Sequence, residues 1–399
     1  MTYANETRDV AVHGDVEDGF GAVADEFRRN FRDRQDLGAG CAAYLGGRKV
    51  VDLWAGVADR RTGKPFEHDT ATVIFSCTKG IMAICAYLLV QEGRLDLDAP
   101  MARYWPEFAQ AGKSAITLRQ ALAHRAGLSY LDRDLTTAEV IAWDPVIDAI
   151  EHQAPHSAPT DGHAYHAITI GWLVGEVIKR ITGLTPGTYF RQTLGDPLGL
   201  DTWIGLPASA RDQVAFMEAP LPDDDSDFAK AFASFQFDPS VERTATLGGA
   251  FAFPADSDGY VSFNAPAVQA AEIPGAGGIS SAESLAKLYA ACVTGLGSGP
   301  ALLTRASIAD GLRVQSAGTQ LTGQPDDGAS WGTGFQISSA PGQPLLGPGS
   351  FGHTGAGGQL AFADVDFGAS FGYVTNQMGG YGDARARLLV EALRSAIDG

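Results

Sequence analysis

Strand-like runs occur at both ends of this chain and enclose a long stretch of helical character. Near the start, residues 41–45 and 50–54 are short apolar runs around the pair Gly46-Gly47, a pattern typical of a β-hairpin. Near the end, strand-like runs cover residues 332–337, 359–365 and 369–375. We therefore predict one 399-residue unit in which residues 1–95 and 281–399 form an α/β part and residues 96–280 an inserted helical part.

Apolar residues at spacings of three and four predict the helices. An opening helix carries Val16, Phe20, Val23, Phe27 and Phe31, and later helices follow Ser76 as far as Gly93, cover 168–182 before Gly183, and cover 281–294 and 384–397. The acidic, proline-containing segment 221–227 is predicted to be a surface loop.

The charge balance argues against polyanionic partners. The chain has 29 Lys and Arg against 47 Asp and Glu, a net charge of −18. Such a surface repels phosphate backbones and anionic lipid, so neither nucleic acid nor a membrane is an expected partner. The sequence does not indicate the oligomeric state.

The sequence predicts a cytoplasmic location. Residues 1–16 are polar and lack the apolar centre of a signal peptide, and no apolar run reaches the roughly 18 residues of a membrane helix. Cys41, Cys77, Cys85 and Cys292 have no CxxC spacing and are expected to be reduced and buried. No metal site is predicted, because the pair His163 and His166 lacks nearby cysteine or carboxylate ligands. Nothing in the sequence requires a cofactor.

The segment Ser76-Cys77-Thr78-Lys79 is an SxxK motif, which can supply a serine nucleophile and a lysine base. Residues three apart lie on one face of a helix, so the Lys79 ammonium can reach the Ser76 hydroxyl. A serine needs a neighbouring base, and a lysine can act as one only if burial or another positive potential lowers its pKa. The first turn of a helix supplies such a potential, and its N–H groups can also stabilise an oxyanion.

Two other serines compete with Ser76. Ser284-Leu-Ala-Lys287 repeats the motif, but Ser280 or Ser281 is the expected N-cap there, which places Ser284 one turn inside, on a solvated face. Ser330 lies in a GxSxG pattern, which requires a strand before it and a helix after it. A turn precedes Ser330 and a strand is predicted after it, so both serines are set aside.

Further sequence blocks accompany Ser76 and Lys79 in a characteristic order. The blocks are Tyr165-His-Ala167, Gly352-His-Thr-Gly-Ala-Gly-Gly358, Leu122-Ala-His124-Arg-Ala-Gly-Leu128, Gly171-Trp-Leu-Val-Gly175 ahead of Arg180-Ile-Thr-Gly183, Trp331-Gly-Thr-Gly-Phe335 and Gly372-Tyr-Val-Thr-Asn376-Gln-Met378. Together they resemble the class C β-lactamase and penicillin-binding-protein-like serine hydrolases, and more narrowly the family VIII carboxylesterases. The resemblance covers roughly residues 20–395. It implies an α+β serine β-lactamase-like fold, an antiparallel sheet flanked by helices with an inserted, mostly helical domain.

The resemblance also implies roles for single residues. Tyr165 matches the tyrosine that acts with the motif lysine as general base for the nucleophile. The backbone N–H groups of Ser76 and Ala356 match the oxyanion hole. Thr354 and Gly355 match the strand that borders the substrate.

Two departures from the family pattern bear on specificity. Ala167 stands where lactamases have an asparagine that hydrogen-bonds the amide of the antibiotic. His353 replaces a lysine that offers a fixed charge to a substrate carboxylate, whereas an imidazole is mostly neutral at pH 7. Both losses disfavour acylamino, carboxylate-bearing substrates. His353 is open to two readings, a hydrogen-bond partner of Tyr165 or Ser76, or a structural residue.

A few residues remain less specific. His124 is favoured as a loop anchor over a catalytic role. Trp331, Trp203 and Phe351 are candidates for lining an acyl or alcohol pocket, although most such aromatic residues are core.

The sequence thus predicts a carboxylesterase that hydrolyses small, uncharged, short-acyl esters through an acyl-enzyme on Ser76. The alternatives of the same fold are a β-lactamase, a D-alanyl-D-alanine peptidase, an amidase or an acyltransferase. A binding protein that has lost catalysis is the alternative from another class, and the presence of Ser76, Lys79 and Tyr165 argues against it.

Overall fold

The computed structural model describes residues 10–221, 238–297, 299–324, 326, 328–339, 342–380 and 383–399. Its strands are β1 (Val12–Val16), β2 (Gly38–Leu45), β3 (Arg48–Asp59), β4 (Lys64–Pro65), β5 (Thr72–Val73), β6 (Thr202–Ile204), β7 (Gly278–Ser280), β8 (Ser316–Ala317), β9 (Ser330–Trp331), β10 (Gln336–Ile337), β11 (Ser350–Thr354), β12 (Leu360–Asp364) and β13 (Ala369–Thr375). Its α-helices are α1 (Gly21–Asp33), α2 (Cys77–Gln91), α3 (Leu118–Leu122), α4 (Thr137–Ile141), α5 (Asp144–His152), α6 (Ile170–Thr182), α7 (Pro186–Phe190), α8 (Asp196–Leu198), α9 (Pro239–Thr246), α10 (Pro266–Ala270), α11 (Ala282–Val293), α12 (Arg305–Leu312) and α13 (Arg385–Asp398).

The main sheet is antiparallel and is built from both ends of the chain. Its order is β1-β3-β2-β13-β12-β11-β10-β9-β8, and β4 also pairs with β3. A smaller sheet has the order β5-β7-β6. The predicted α+β fold is confirmed. The strands of the main sheet come from residues 12–65 and 316–375, which supports the predicted division into an α/β part and a helical part; that division remains a prediction.

Both faces of the main sheet are covered by helices. Alternate side chains of a strand point to opposite faces, and β2 shows this: Ala39, Cys41 and Ala43 belong to one apolar core, Ala42 and Tyr44 to another. Helices α1 and α13 cover the first face, whereas α11 packs on the second face against β2, β12 and β13. The interior strand β13 is buried along its whole length because it is covered on both sides.

The second core continues into the helical part of the chain. Helix α2 contacts β11 of the main sheet and also α6 and α7 of the helical part. Its residues are almost all buried, with the apolar run from Ile81 to Tyr87 inaccessible. Helix α2 thus packs against both the main sheet and the helices of the helical part, and its first turn lies where these meet.

The predicted helices and hairpin are confirmed, with some differences at their ends. Gly93 and Gly183 follow α2 and α6 with left-handed backbones (φ 70° and 75°), as glycines at helix ends commonly do. The opening helix begins at Gly21 and not at Val16, because Val16 pairs with Val51 in the sheet. Strand pairing there outweighs a spacing that happens to fit a helix.

The prediction of one continuous strand over residues 332–337 was wrong. Strands β9 and β10 pair antiparallel around a four-residue turn, within which Gly334 has a φ of 84°. Of the predicted surface loop 221–227, only Leu221 belongs to the described residues. Within the described part of the chain, the helices include none with the length and apolar character needed to cross a membrane.

Candidate active site

Ser76 stands at the sharp turn between β5 and α2. Phe75 has a φ of 43°, which is uncommon for a residue with a side chain. Thr78 Oγ1 donates to the carbonyl of Phe75 at 2.6 Å and accepts from the N–H of Gly278 at 2.9 Å, so the turn is tied to β7. Ser76 is the N-cap of α2, yet its hydroxyl makes no capping hydrogen bond. The hydroxyl is therefore available to other groups in the site.

Lys79 lies one turn along α2 with its amine directed at Ser76. The Nζ atom is 2.8 Å from Ser76 Oγ, 2.6 Å from the carbonyl oxygen of Ala167 and 2.8 Å from that of Gly275. The residue is 3% exposed, and this burial lowers the pKa of Lys79 to about 7. A substantial fraction of Lys79 is therefore neutral at physiological pH.

The three contacts of Lys79 can be made by both protonation states of the amine. A neutral amine has two N–H groups and one lone pair, while an ammonium has three donors. The carbonyls of Ala167 and Gly275 take two donors. In the third direction, Nζ donates to Ser76 Oγ when Lys79 is charged, and the lone pair of the neutral amine can accept the Ser76 proton there.

Tyr165 is partly buried beside this pair. Its ring centroid is 5.0 Å from Lys79 Nζ. Burial raises the pKa of Tyr165, an effect opposed by its hydrogen bonding to Ser76. The phenol therefore keeps its proton at neutral pH and can donate it.

His353 lies on β11 next to the first turn of α2. Its carbonyl accepts from Cys77 Sγ at 3.1 Å, which holds β11 against the helix. Its Nδ1 contacts the carbonyl of Thr354 at 2.7 Å, and its ring centroid is 6.1 Å from that of Tyr165. Burial and the charge of Lys79 lower the pKa of His353 to about 3, so this side chain is neutral. It offers no cation to a substrate carboxylate.

The turn after β11 packs against the strand that leads to Ser76. A Cβ on Gly355 would lie 2.3 Å from the carbonyl oxygen of Ile74, an approach that only glycine permits. Gln359 fastens the turn by donating to the carbonyls of Val73 and Thr375. Among the described residues, the backbone N–H groups of Ser76 and Ala356 have no hydrogen-bond partner. These are the two N–H groups that the family resemblance assigns to an oxyanion hole, and that role remains a prediction.

The remaining predicted lining residues divide into two groups. The ring of Trp331 is 5.9 Å from that of Tyr165, so the two rings are neighbours, and a role of Trp331 in lining the substrate site remains a prediction. Thr354 is the last residue of β11, directly after His353, and its hydroxyl donates to Gln336 Oε1. Trp203 and Phe351 are core residues: both are buried, Trp203 beneath Arg191 and Phe351 against Phe335.

The structure favours a structural role for both serines that compete with Ser76, Ser284 and Ser330. Ser284 is 1% exposed, so the predicted solvated position was wrong; its Oγ accepts from the N–H of Asp201 at 2.9 Å. Ser281 caps α11, as expected. Ser330 opens β9 and a hairpin follows it, so the helix that a GxSxG elbow requires is missing.

Two contributors to the site were missed by sequence reasoning. The carbonyls of Ala167 and Gly275 hold Lys79, although neither residue has a functional side chain. A weak signal was present in Gly275-Ala-Gly-Gly278, a run of glycines that permits close backbone approach. A Cβ on Gly171 would lie 2.2 Å from the nitrogen of Gly275, so α6 and this loop must meet without a side chain between them.

His166 is a structural histidine. Its Nε2 accepts from the N–H of Leu128 at 3.1 Å, and its Nδ1 is 2.6 Å from the carbonyl oxygen of Ala164. Burial lowers the pKa of His166 to about 4. In the part of the chain that the structure describes, His, Cys, Asp and Glu form no group of three or more that could hold a metal ion.

The fold and the sequence comparisons define a serine hydrolase of the esterase and β-lactamase type, a carboxylic ester hydrolase. The chain belongs to the Beta-lactamase family, which it matches over residues 27–394.

Individual relatives agree with this assignment. The chain is 33% identical over 384 residues to the esterase/beta-lactamase LipL of Mycobacterium tuberculosis, covering 92% of this chain and 83% of that protein. A penicillin-binding protein homolog from Caulobacter crescentus has a TM-score of 0.84 and 37% identity, over 97% of this chain and all (100%) of that one. A family VIII carboxylesterase has a TM-score of 0.83 and 31% identity, over 97% and 100% of the two chains.

Proposed function

We propose that this protein hydrolyses small, uncharged carboxylic esters through an acyl-enzyme on Ser76. The observation that carries the proposal is the contact of 2.8 Å between Lys79 Nζ and Ser76 Oγ, made by an amine with a pKa of about 7. A serine hydroxyl becomes a strong nucleophile when a base with a pKa near the working pH accepts its proton. Esterase names among relatives with more than 30% identity support the same reaction.

Acylation begins with proton transfer from Ser76 to Lys79. The Ser76 oxygen bonds to the ester carbonyl carbon, and the neutral amine of Lys79 becomes an ammonium. The carbonyl oxygen, now an oxyanion, receives hydrogen bonds from the backbone N–H groups of Ser76 and Ala356.

The alcohol then leaves with a proton. The bond between the carbonyl carbon and the alcohol oxygen breaks, and the protonated phenol of Tyr165 donates to that oxygen. Lys79 returns the proton to Tyr165, which restores both groups. We assign proton acceptance to Lys79 rather than to Tyr165, because burial raises the pKa of Tyr165. Water repeats these steps to release the acid.

Neutral esters suit the site better than carboxylate-bearing substrates. His353 is uncharged, with a pKa lowered to about 3, and Ala167 has no side-chain group that could hold an amide. The relatives named as an esterase/beta-lactamase and a penicillin-binding protein homolog keep a second candidate open, a β-lactamase or peptidase.

Two measurements test the proposal. The first compares kcat/KM for p-nitrophenyl butyrate with that for a chromogenic cephalosporin; the ester is expected to give the larger value, and a larger value for the cephalosporin would refute the esterase assignment. The second is covalent labelling by a fluorophosphonate probe, expected on the wild type and absent from Ser76→Ala.

The chain offers a matched control for labelling. Ser330→Ala removes a serine that also lies in a hydrolase-like pattern and is expected to label like the wild type. Equal labelling of Ser76→Ala and the wild type would overturn Ser76 as the nucleophile. Absence of labelling on the wild type would instead favour a binding protein.

A further inference from the structure

Residues 163–167 carry much of the site but form neither a helix nor a strand. This segment contributes the ring of Tyr165 and the carbonyl of Ala167 that holds Lys79. A loop lacks the internal hydrogen bonds of a helix or strand, so contacts from elsewhere must hold it in position.

Three consecutive backbone N–H groups of this segment are bonded by two distant residues. The N–H of Ala164 donates to the carbonyl of His124 at 3.0 Å, and the N–H of His166 donates to His124 Nδ1 at 3.1 Å. Between them, the N–H of Tyr165 donates to Gln320 Oε1 at 2.8 Å. His124 and Gln320 therefore bind the same short segment through alternate residues.

His124 is shaped for this double contact. Its φ is 60°, in the left-handed region that favours glycine and asparagine. Its ring centroid is 4.6 Å from that of Tyr165, so the ring also packs on the phenol. Burial, with His166 and Lys79 nearby, lowers the pKa of His124 well below its usual value, and the neutral ring keeps Nδ1 as an acceptor.

Gln320 approaches from the connection between β8 and β9. The next residue, Leu321, donates its backbone N–H to the carbonyl of His163 at 2.8 Å. The connection thus binds the Tyr165 segment at two successive positions, once through a side chain and once through the backbone. A substitution at Gln320 can therefore remove the side-chain contact with Tyr165 and leave the backbone contact between Leu321 and His163 in place.

We propose that His124 and Gln320 are positioning residues that hold Tyr165 in register with Ser76 and Lys79. The inference rests on the proposed function, because it concerns the geometry of that reaction. A displacement of about 1 Å in a catalytic group can lower the rate about 100-fold. Loss of either acceptor should therefore lower kcat with little change in KM.

Paired variants separate the acceptor from other effects of substitution. Gln320→Leu removes the acceptor, whereas Gln320→Glu keeps one. His124→Gly and His124→Asn both fit the left-handed backbone, but only asparagine retains a side-chain acceptor. With p-nitrophenyl butyrate, kcat is expected to fall roughly tenfold or more in Gln320→Leu and His124→Gly. Gln320→Glu and His124→Asn are expected to restore most of it.

A double-mutant cycle with Tyr165→Phe distinguishes positioning from a general loss of structure. If Gln320 acts through Tyr165, then Gln320→Leu should cause little further loss of kcat once the phenol hydroxyl is gone. Thermal melts of every variant verify folding, and Gln192→Leu, at an exposed position that makes none of the contacts described above, serves as the control with unchanged kcat. Because the two positioning residues lie on different elements, either one tests the inference if the other variant does not fold.

Two results would overturn the inference. One is wild-type kcat in folded Gln320→Leu and His124→Gly; the other is an equal fractional loss in the presence and absence of the Tyr165 hydroxyl. Both presuppose an active wild type that depends on Ser76. An inactive wild type, or one unaffected by Ser76→Ala, would count against the proposed function itself.

Discussion

The pH dependence of ester hydrolysis tests the central contact of the site directly. Burial takes the pKa of Lys79 from 10.5 to about 7, a change that corresponds to about 5 kcal/mol between its two protonation states. Because only the neutral amine can accept the Ser76 proton, kcat/KM should rise through a midpoint near pH 7. Below it, activity should fall about tenfold per pH unit, and be on the order of 100-fold lower at about pH 5.

No neighbouring group with a shifted pKa explains a fall of kcat/KM below pH 7 equally well. The pKa of His353 is lowered to about 3, that of His166 to about 4 and that of His124 well below its usual value, whereas the pKa of Tyr165 is raised. Lys79 is the one member of this set whose pKa lies near neutrality.

The assay is the initial rate of p-nitrophenyl butyrate hydrolysis from about pH 5 to about pH 9, read at the isosbestic wavelength of p-nitrophenol. Enzyme returned from acid to neutral pH must regain full activity, which excludes irreversible inactivation, and an unchanged far-UV circular dichroism spectrum at each pH excludes unfolding as the cause of the decline. His353→Gln provides the control and should keep the midpoint. A flat profile, or a midpoint that moves in His353→Gln, would refute the assignment of the proton acceptor to Lys79.

Three further outcomes follow from particular contacts. Arg385→Met leaves Asp36, which is 0% exposed, without its ion pair; the free energy of unfolding in urea should fall by about 3–5 kcal/mol at neutral pH. The loss should shrink in acid, because burial already raises the pKa of Asp36 and protonation removes the unpaired charge; an equal loss at both pH values would contradict this. Gly171→Ala places a methyl group 2.2 Å from the nitrogen of Gly275, so stability should fall by about 1–3 kcal/mol and kcat should fall with it, whereas an unchanged Tm would show that the loop yields freely. His353→Lys restores a cation beside the site and should raise kcat/KM for a cephalosporin relative to butyrate by roughly tenfold; a ratio equal to that of His353→Gln would exclude a role in selectivity.

Local sequence patterns were sufficient for elements whose signals lie within a few residues. Helix α2, the β2–β3 hairpin and the Ser76–Lys79 pair depend on spacing, since residues three apart on a helix must meet. The ordered blocks extended this to Tyr165 and His353, and the structure places both near Ser76 and Lys79. Where local spacing misled, as at Val16, the cause was pairing with a distant strand.

By itself, the amino-acid sequence determined the fold class and the helix that presents Ser76 and Lys79, and it predicted Tyr165 as a further residue of the site. Only the tertiary structure decided what surrounds them. The Lys79 amine is held by the carbonyls of Ala167 and Gly275, which lie 88 and 196 residues away along the chain. Every residue has a carbonyl, so no residue type marks the ones that meet a buried amine. Burial lowers the pKa of Lys79, and burial is a property of the packed molecule that no single segment of the chain encodes.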